Sequence, residues 1–285
     1  MKKSRFTKTI SRILLFATMT LVLSLLFGAC DIGQLLNFGG EDEKKPDVKF
    51  VSIDGGQALN RFKGTSGIKK YIVPDEFEGE KVIKLDPFSL ANAEYLEELF
   101  IGPNISEIDV YALTNCPKLK KIVVDPKNSH FKDIDGVLYS KDGATLLFFP
   151  NMNTEELTVP EGVVEIRENA FYKCSNLKKI SFPSSLKKVG NRAFIKCKGL
   201  VRLDLPDGLE EVGEDSFSFL HAAEYIYVPA TVKSIGNYGF FDASKVEKIL
   251  MGHESEEDLE TGRDWHQKKD VKIATGIPLE WGAKR

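Results

Sequence analysis

Apolar and polar positions along the chain recur on two scales. Within short windows they alternate. In Leu177-Lys-Lys-Ile180-Ser-Phe182 the apolar side chains face one way while Lys178, Lys179 and Ser181 face the other, the period of a β-strand. Over longer windows the same pattern returns every 23 residues. Pro160, Pro183, Pro206 and Pro229 keep that step, and so do Phe171, Phe194, Phe217 and Phe240. Ile166, Val189, Val212 and Ile235 form a third column, and Ile180, Leu203, Ile226 and Ile249 a fourth. Columns at one period predict a stack of equivalent coils. Upstream, Ile108, Leu113, Leu119 and Ile122 fill the same slots, then Leu85, Leu90, Leu96 and Leu99, with Gly102 where proline stands elsewhere. Six copies result: 79–101, 102–124, 160–182, 183–205, 206–228 and 229–251.

Each copy holds one L-x-x-L-x-L stretch, the strand of a leucine-rich repeat, and a second pattern such as Leu186-Lys-Lys-Val189 that carries the chain back. The expected fold is mainly β, a leucine-rich-repeat solenoid with stacked phenylalanines inside. Cys116, Cys174 and Cys197 share one slot with Ala93, Leu220 and Ala243, a slot that asks for a small to medium apolar side chain, as free cysteine is. Stacked coils put equivalent residues about 4.8 Å apart, so one disulfide stays open as an alternative to buried thiols.

Two segments interrupt or end the repeat. FKDIDGVLYSKDGATLLFFP (131–150), inside an insertion of about 125–159, alternates around Lys141-Asp-Gly143 and predicts a β-hairpin. If it loops out, Lys120, Lys121, Lys178, Lys179 and Arg202 become neighbours. Residues 252–285 are expected to cap the exposed last coil. There Ser255-Glu-Glu-Asp258 reads as a capping box opening a short helix, Leu259 and Trp265 as its cover, and 271–274 as an added strand.

The N-terminus has a different pattern. Lys2, Lys3, Arg5, Lys8 and Arg12 precede an almost unbroken apolar stretch, Ile13 to Phe27, that ends in Gly28, Ala29 and Cys30. That is the layout of a secretion signal over residues 1–29. LLFGAC resembles the lipobox of bacterial lipoproteins, which implies a diacylglycerol on the Cys30 thiol, cleavage before it and acylation of the new amino terminus. Several acyl chains give stable anchoring. An uncleaved membrane span is the alternative, and both readings export the chain. Asp31 to Asp47, poor in periodicity, extends a flexible tether over residues 30–47.

Residues 1–29 carry five basic and no acidic side chains, so the chain without them has a net charge of −8. Such a charge argues against nucleic acid as a partner. No Gly-rich phosphate loop or nucleophile elbow is present, and the four histidines lie in separate segments, so no catalytic, metal or cofactor site is expected. Paired carboxylates such as Glu97-Glu98 fall on outward strand positions, which leaves a glycan-cleaving site without support.

The unit LKKISFPSSLKKVGNRAFIKC resembles the BspA-type leucine-rich repeat of bacterial surface proteins, over residues 48–251. VSIDGGQALNRFKG and YIVPDEFEGEKVIKL resemble that family's opening hairpin and first, longer turn. The resemblance implies a non-enzymatic module displayed at the cell surface for adhesion or protein binding, with a protein or glycan ligand. Repeat proteins bind through the outward residues of their strand face. The candidate face is Lys120, Lys121, Lys178, Lys179, Arg202, Tyr225 and Tyr227. The alternative is an accessory lipoprotein that organises partners in its own membrane, with the lysines only keeping an exposed sheet soluble. In some Gram-negative bacteria Asp31 after the cysteine is similar to an inner-membrane retention signal, which places the protein in the periplasm.

Overall fold

The computed structural model describes residues 46–64, 67–150, 154–266 and 277–284, all within the larger of two compact units, Glu43–Arg285. Cys30, the export signal and nearly all of the tether lie outside the described residues, as does the strand expected at 271–274. No helix among the described residues is long and apolar enough to cross a membrane.

The chain forms a β-solenoid of about nine turns. Each turn contributes one short strand to each of two rows. The strand-face row runs Lys70–Ile72, Glu98–Ile101, Lys121–Val124, Glu156–Thr158, Lys179–Ser181, Arg202–Asp204, Tyr225–Val228, Ile249–Met251 and Leu279–Glu280. Its ladders are parallel, and those between the repeats keep the register of the 23-residue step, as in Leu157 opposite Ile180 and Leu203 opposite Ile226. The second row begins with the antiparallel hairpin Asp47–Ile53 and Gly56–Lys63, and passes through Glu80–Leu85 and Glu107–Ile108. It resumes at Glu165–Ile166, Lys188–Val189, Glu211–Val212, Ser234–Ile235 and Glu260–Thr261. A close backbone approach fixes one column of this row. A Cβ on Gly213 would sit 2.7 Å from the backbone N of Asn191, and one on Gly236 would sit 2.5 Å from the N of Glu214.

The insertion does not loop out. Phe131–Ile134, Val137–Ser140 and Thr145–Phe148 form a three-stranded antiparallel meander, and its last strand joins the second row by pairing in parallel with Glu165–Ile166. Its Asp135-Gly136 turn lies beside Lys121–Val124, where Ile122 N–H donates to Gly136 C=O at 3.0 Å. The reason is apolar content on both faces. Leu138 and Leu147 are buried among the N-terminal coils, while Val137, Tyr139 and Leu146 are buried among the C-terminal ones. A hairpin in solvent would expose one of these sets. As a wall between two cores it buries both, at about 1.5–3 kcal/mol for each large side chain.

The C-terminal core contains the aromatic spine. Phe149, Phe171, Phe194, Phe217 and Phe240 stack in order, with centroids 4.8, 4.4, 5.1 and 5.4 Å apart. Trp265 meets Phe240 edge-on at 6.2 Å and ends the series. The segment after Met251 differs from its expectation in one respect. Ser255 makes no side-chain cap, and Glu256–Asp258 is a single 3-10 turn, after which Glu260–Thr261 continues the second row. On the other side of the molecule Arg167 donates to Ile108 C=O at 3.0 Å, Tyr111 to Glu168 at 2.9 Å and Lys173 to Asn115 at 3.1 Å. These contacts tie the two stacks together past the meander.

Candidate functional site

Over the first five rungs of the strand face the outward residues alternate in charge from turn to turn. Lys69-Lys70 is followed by Glu97-Glu98, then Lys120-Lys121, and after the meander Glu155-Glu156 precedes Lys178-Lys179. Parallel ladders place these rungs side by side, so the charges pair between coils. Lys120 lies 2.7 Å from Glu97, Lys178 2.6 Å from Glu155, and Lys179 3.5 Å from Glu156. Lys121 stands in register with Glu98. Lys120 and then Lys69 hold the Glu97 carboxyl below the usual carboxylate range. Exposed pairs of this kind contribute little to stability, because solvent and salt screen them.

This arrangement separates the expected basic cluster into two groups. Lys120 and Lys121 stand on the N-terminal stack, Lys178, Lys179 and Arg202 on the C-terminal one. The meander turn and the Glu155-Glu156 rung lie between them. Arg202 lies 2.5 Å from Asp204 and places its guanidinium 4.0 Å from the centre of the half-buried Tyr225 ring. Tyr227, expected to be exposed, is buried at 6% exposure. The backbone at Gly252 passes so close that a Cβ there would lie 3.1 Å from its hydroxyl.

The strand face also holds a feature that the pattern of residues did not indicate. No ladder joins Lys179–Ser181 to Arg202–Asp204, although Val201 N–H still donates to Lys178 C=O at 3.1 Å. At this seam a cleft of about 530 Å³ opens between Lys178 and Lys179 on one lip and Val201 and Arg202 on the other, with Phe182 and Pro206 among its lining. Phe182 is the largest residue in its column and packs edge-on against Phe194 at 5.9 Å. Val201 is among the most exposed large apolar residues described. The cleft is therefore a mixed surface, apolar within and charged at its rim, as protein-binding patches commonly are.

Among the described residues the three cysteines, Cys116, Cys174 and Cys197, are buried and free. Each thiol also makes a hydrogen bond that filling alone does not require. Cys116 Sγ donates to Leu90 C=O at 3.1 Å and Cys197 Sγ to Phe171 C=O at 3.0 Å, each on the preceding turn. Burial pushes the Cys116 thiol up to about 11, and Cys197 higher still. Near neutral pH these buried thiols are therefore held in the protonated form. His253 is buried against Val232 C=O, and His221 lies 3.1 Å from Asp242. Among the described residues no three His, Cys, Asp or Glu side chains gather as a metal ion would need.

The comparisons with known proteins agree with this architecture. A leucine-rich repeat protein from Eubacterium ventriosum is similar at 15% identity with a TM-score of 0.52, covering 76% of this chain. This chain spans 65% of that protein's length. The pneumococcal vaccine antigen PcpA is similar at 15% identity with a TM-score of 0.50, covering 85% of this chain and 87% of its own. These likenesses show the fold. No curated protein matches the chain. The model of the BspA type leucine rich repeat region matches six copies over residues 59–138 and 147–258, more than half of the sequence. With that match over the same coils that stack in the structure, the chain belongs to the BspA type leucine-rich repeat family.

Proposed function

We propose that the protein is an exported, lipid-anchored, non-enzymatic binding module that engages a protein ligand through the strand face of its C-terminal stack. The observation that carries the reading is the cleft of about 530 Å³ at the seam, flanked by Lys178, Lys179 and Arg202. A repeat sheet offers a long rigid surface, and a break in it supplies a pocket for an anchor side chain. Because Glu155, Glu156 and Asp204 neutralise the rim, the face suits a partner with both charges rather than a polyanion. Family membership supports display at the cell surface for adhesion, and the pneumococcal antigen of similar fold accords with such a location. The anchor is assigned to Cys30 on the lipobox-like LLFGAC.

Three measurements test this in cells that make the full chain. Replacing Cys30 by Ala should move the protein from the membrane to the soluble fraction and abolish labelling by an alkyne fatty acid. Protease shaving of intact cells should release the repeat domain. Lys178→Glu with Lys179→Glu should remove ligand capture while the protein stays folded. Retained capture would sink the strand-face assignment, and cross-links only to proteins of the same membrane would favour the accessory reading.

A further inference from the structure

Two of the four histidines hold one and the same segment. His253 and His266 lie apart in the chain, yet both contact residues 277–284, which continue the strand-face row past Met251. His266 Nδ1–H donates to Ile277 C=O at 3.0 Å, and Ile277 N–H donates back to His266 C=O at 2.9 Å. His253 C=O accepts from Gly282 N–H at 2.7 Å, and its ring meets the Trp281 ring edge-on at 6.5 Å. The other attachments are short. Leu279 and Glu280 pair with Ile249 and Leu250, Ala283 N–H donates to Met251 C=O, and Ile277 is buried.

Both rings sit where a neutral imidazole fits better than an imidazolium. His253 is buried at 3% exposure, its Nε2–H donates to Val232 C=O at 2.7 Å, and its Nδ1 is buried without a partner. A proton added there would be a buried donor with no acceptor. The half-buried His266 ring lies 4.4 Å from the Trp265 ring. Desolvation holds its imidazole below the usual histidine value, against the weaker opposing pull of Ile277 C=O and the Glu256 carboxylate. The charged groups around the two rings are Glu256 on the 3-10 turn, Glu254 beside His253, Arg263 and Asp264 before His266, and Lys284. Lys233, next to Val232, is engaged by Glu210, and Glu280 by Lys248. Among the described residues neither ring makes an ion pair with any of these, whereas His221 has Asp242 at 3.1 Å.

We infer that segment 277–284 is an acid-released cover, lifted from the last coil by protonation of His253 and His266 while the coils beneath stay stacked. Coils of a solenoid touch only their neighbours, so the outermost contact can open alone. A ring that is neutral when docked takes up its proton more readily once released. Docking is therefore complete above about pH 6.5 and weakens as pH falls below it. Release bares Ile249–Met251 as an open strand edge, which another strand can pair with. The inference stands apart from the strand-face cleft and does not depend on it.

Trp265 and Trp281 are the chain's two tryptophans, and each ring meets one of these histidines, so fluorescence reports on the contact directly. The test titrates the full chain in detergent from pH 7.5 to 5.0 with acrylamide as quencher. Hydrogen exchange at both ends, corrected for the intrinsic rate, locates the change. Quenching should rise roughly twofold and protection over 277–284 should be lost, while protection over 160–246 is kept. His253→Gln with His266→Asn keeps amide donors for Val232 and Ile277 that do not titrate, so quenching should stay at its neutral value down to pH 5.0. If that pair frees the segment already at pH 7.5, Glu256→Gln decides. It removes a charge that favours the protonated His266 ring, so the midpoint of release should move to higher pH. Unchanged quenching down to pH 5.0 in the unaltered chain, or protection lost across 160–246 as well, would overturn the assignment. So would an equal acid response in the histidine pair, or no shift of the midpoint with Glu256→Gln.

Discussion

Leu138 and Tyr139 are adjacent in one strand, yet Leu138 is buried in the N-terminal core and Tyr139 in the C-terminal one. Both are almost fully buried, at 0% and 1% exposure. The meander is thus a shared wall, and each stack depends on a different face of it.

Truncating the two residues should give distinct signatures. Leu138→Ala is expected to cost about 2–5 kcal/mol and Tyr139→Ala about 3–5 kcal/mol. Hydrogen exchange should then show protection lost mainly over residues 59–124 in the first variant and 146–265 in the second. Identical exchange patterns would mean that the stacks unfold as one.

The aromatic spine makes a second prediction. Phe194 touches Phe171 at 4.4 Å and Phe217 at 5.1 Å, so Phe194→Ala should cost about 3–5 kcal/mol in urea unfolding. Phe194→Ala and Phe217→Ala together should cost less than the sum of the two, because both singles break the same contact. Additive losses would show that the rings pack independently.

Gly213→Ala should destabilise although the added group is a single methyl. Its Cβ would lie 2.7 Å from the backbone of both Asn191 and Gly190, and neither can yield without moving a coil. About 1–3 kcal/mol is expected, read as a lower urea midpoint. The same change at Gly79, where nothing lies within 4 Å of the added carbon, would meet no such contact and loses only from its left-handed φ of 82°.

Alkaline conditions should weaken the fold through its thiols and buried phenols. An exposed thiol loses its proton near 9.0, while Cys116 holds its proton to about 11 because burial disfavours the thiolate. Between those values the unfolded chain binds fewer protons than the folded one, so stability is intact below about pH 9 and falls as pH rises toward 11. Tyr139, pushed by burial up to about 12, extends the loss upward. Urea titrations at pH 7.5 and 10.5 check the direction, and Cys116→Ala should reduce the difference.

Much of this architecture is legible in the residues, because a constant step carries it. Phe171 to Phe240 and the cysteine slot are columns of one residue class, and stacking follows from the period alone. The charge pairing was equally present. Adding 23 to Glu97, Glu155 and Glu210 gives Lys120, Lys178 and Lys233, which are their partners. The turn at Glu155-Glu156-Leu157 carries the same signal as Lys178-Lys179-Ile180, but lies inside a segment that reads as an insertion. The coils at Tyr71 and Leu279 break the step, since 28 and 30 residues separate them from Leu99 and Ile249. Burial of Tyr227 and the seam beside Phe182 depend on the path of neighbouring coils in space, which no column of residues encodes.

The two-sided wall has a mechanical consequence. Coils that touch only their neighbours give way one after another when the chain is pulled from its ends, each releasing roughly 75 Å of slack. Peeling that reaches the meander must strip two interiors at once, so tension from either direction meets its steepest resistance in the middle of the molecule.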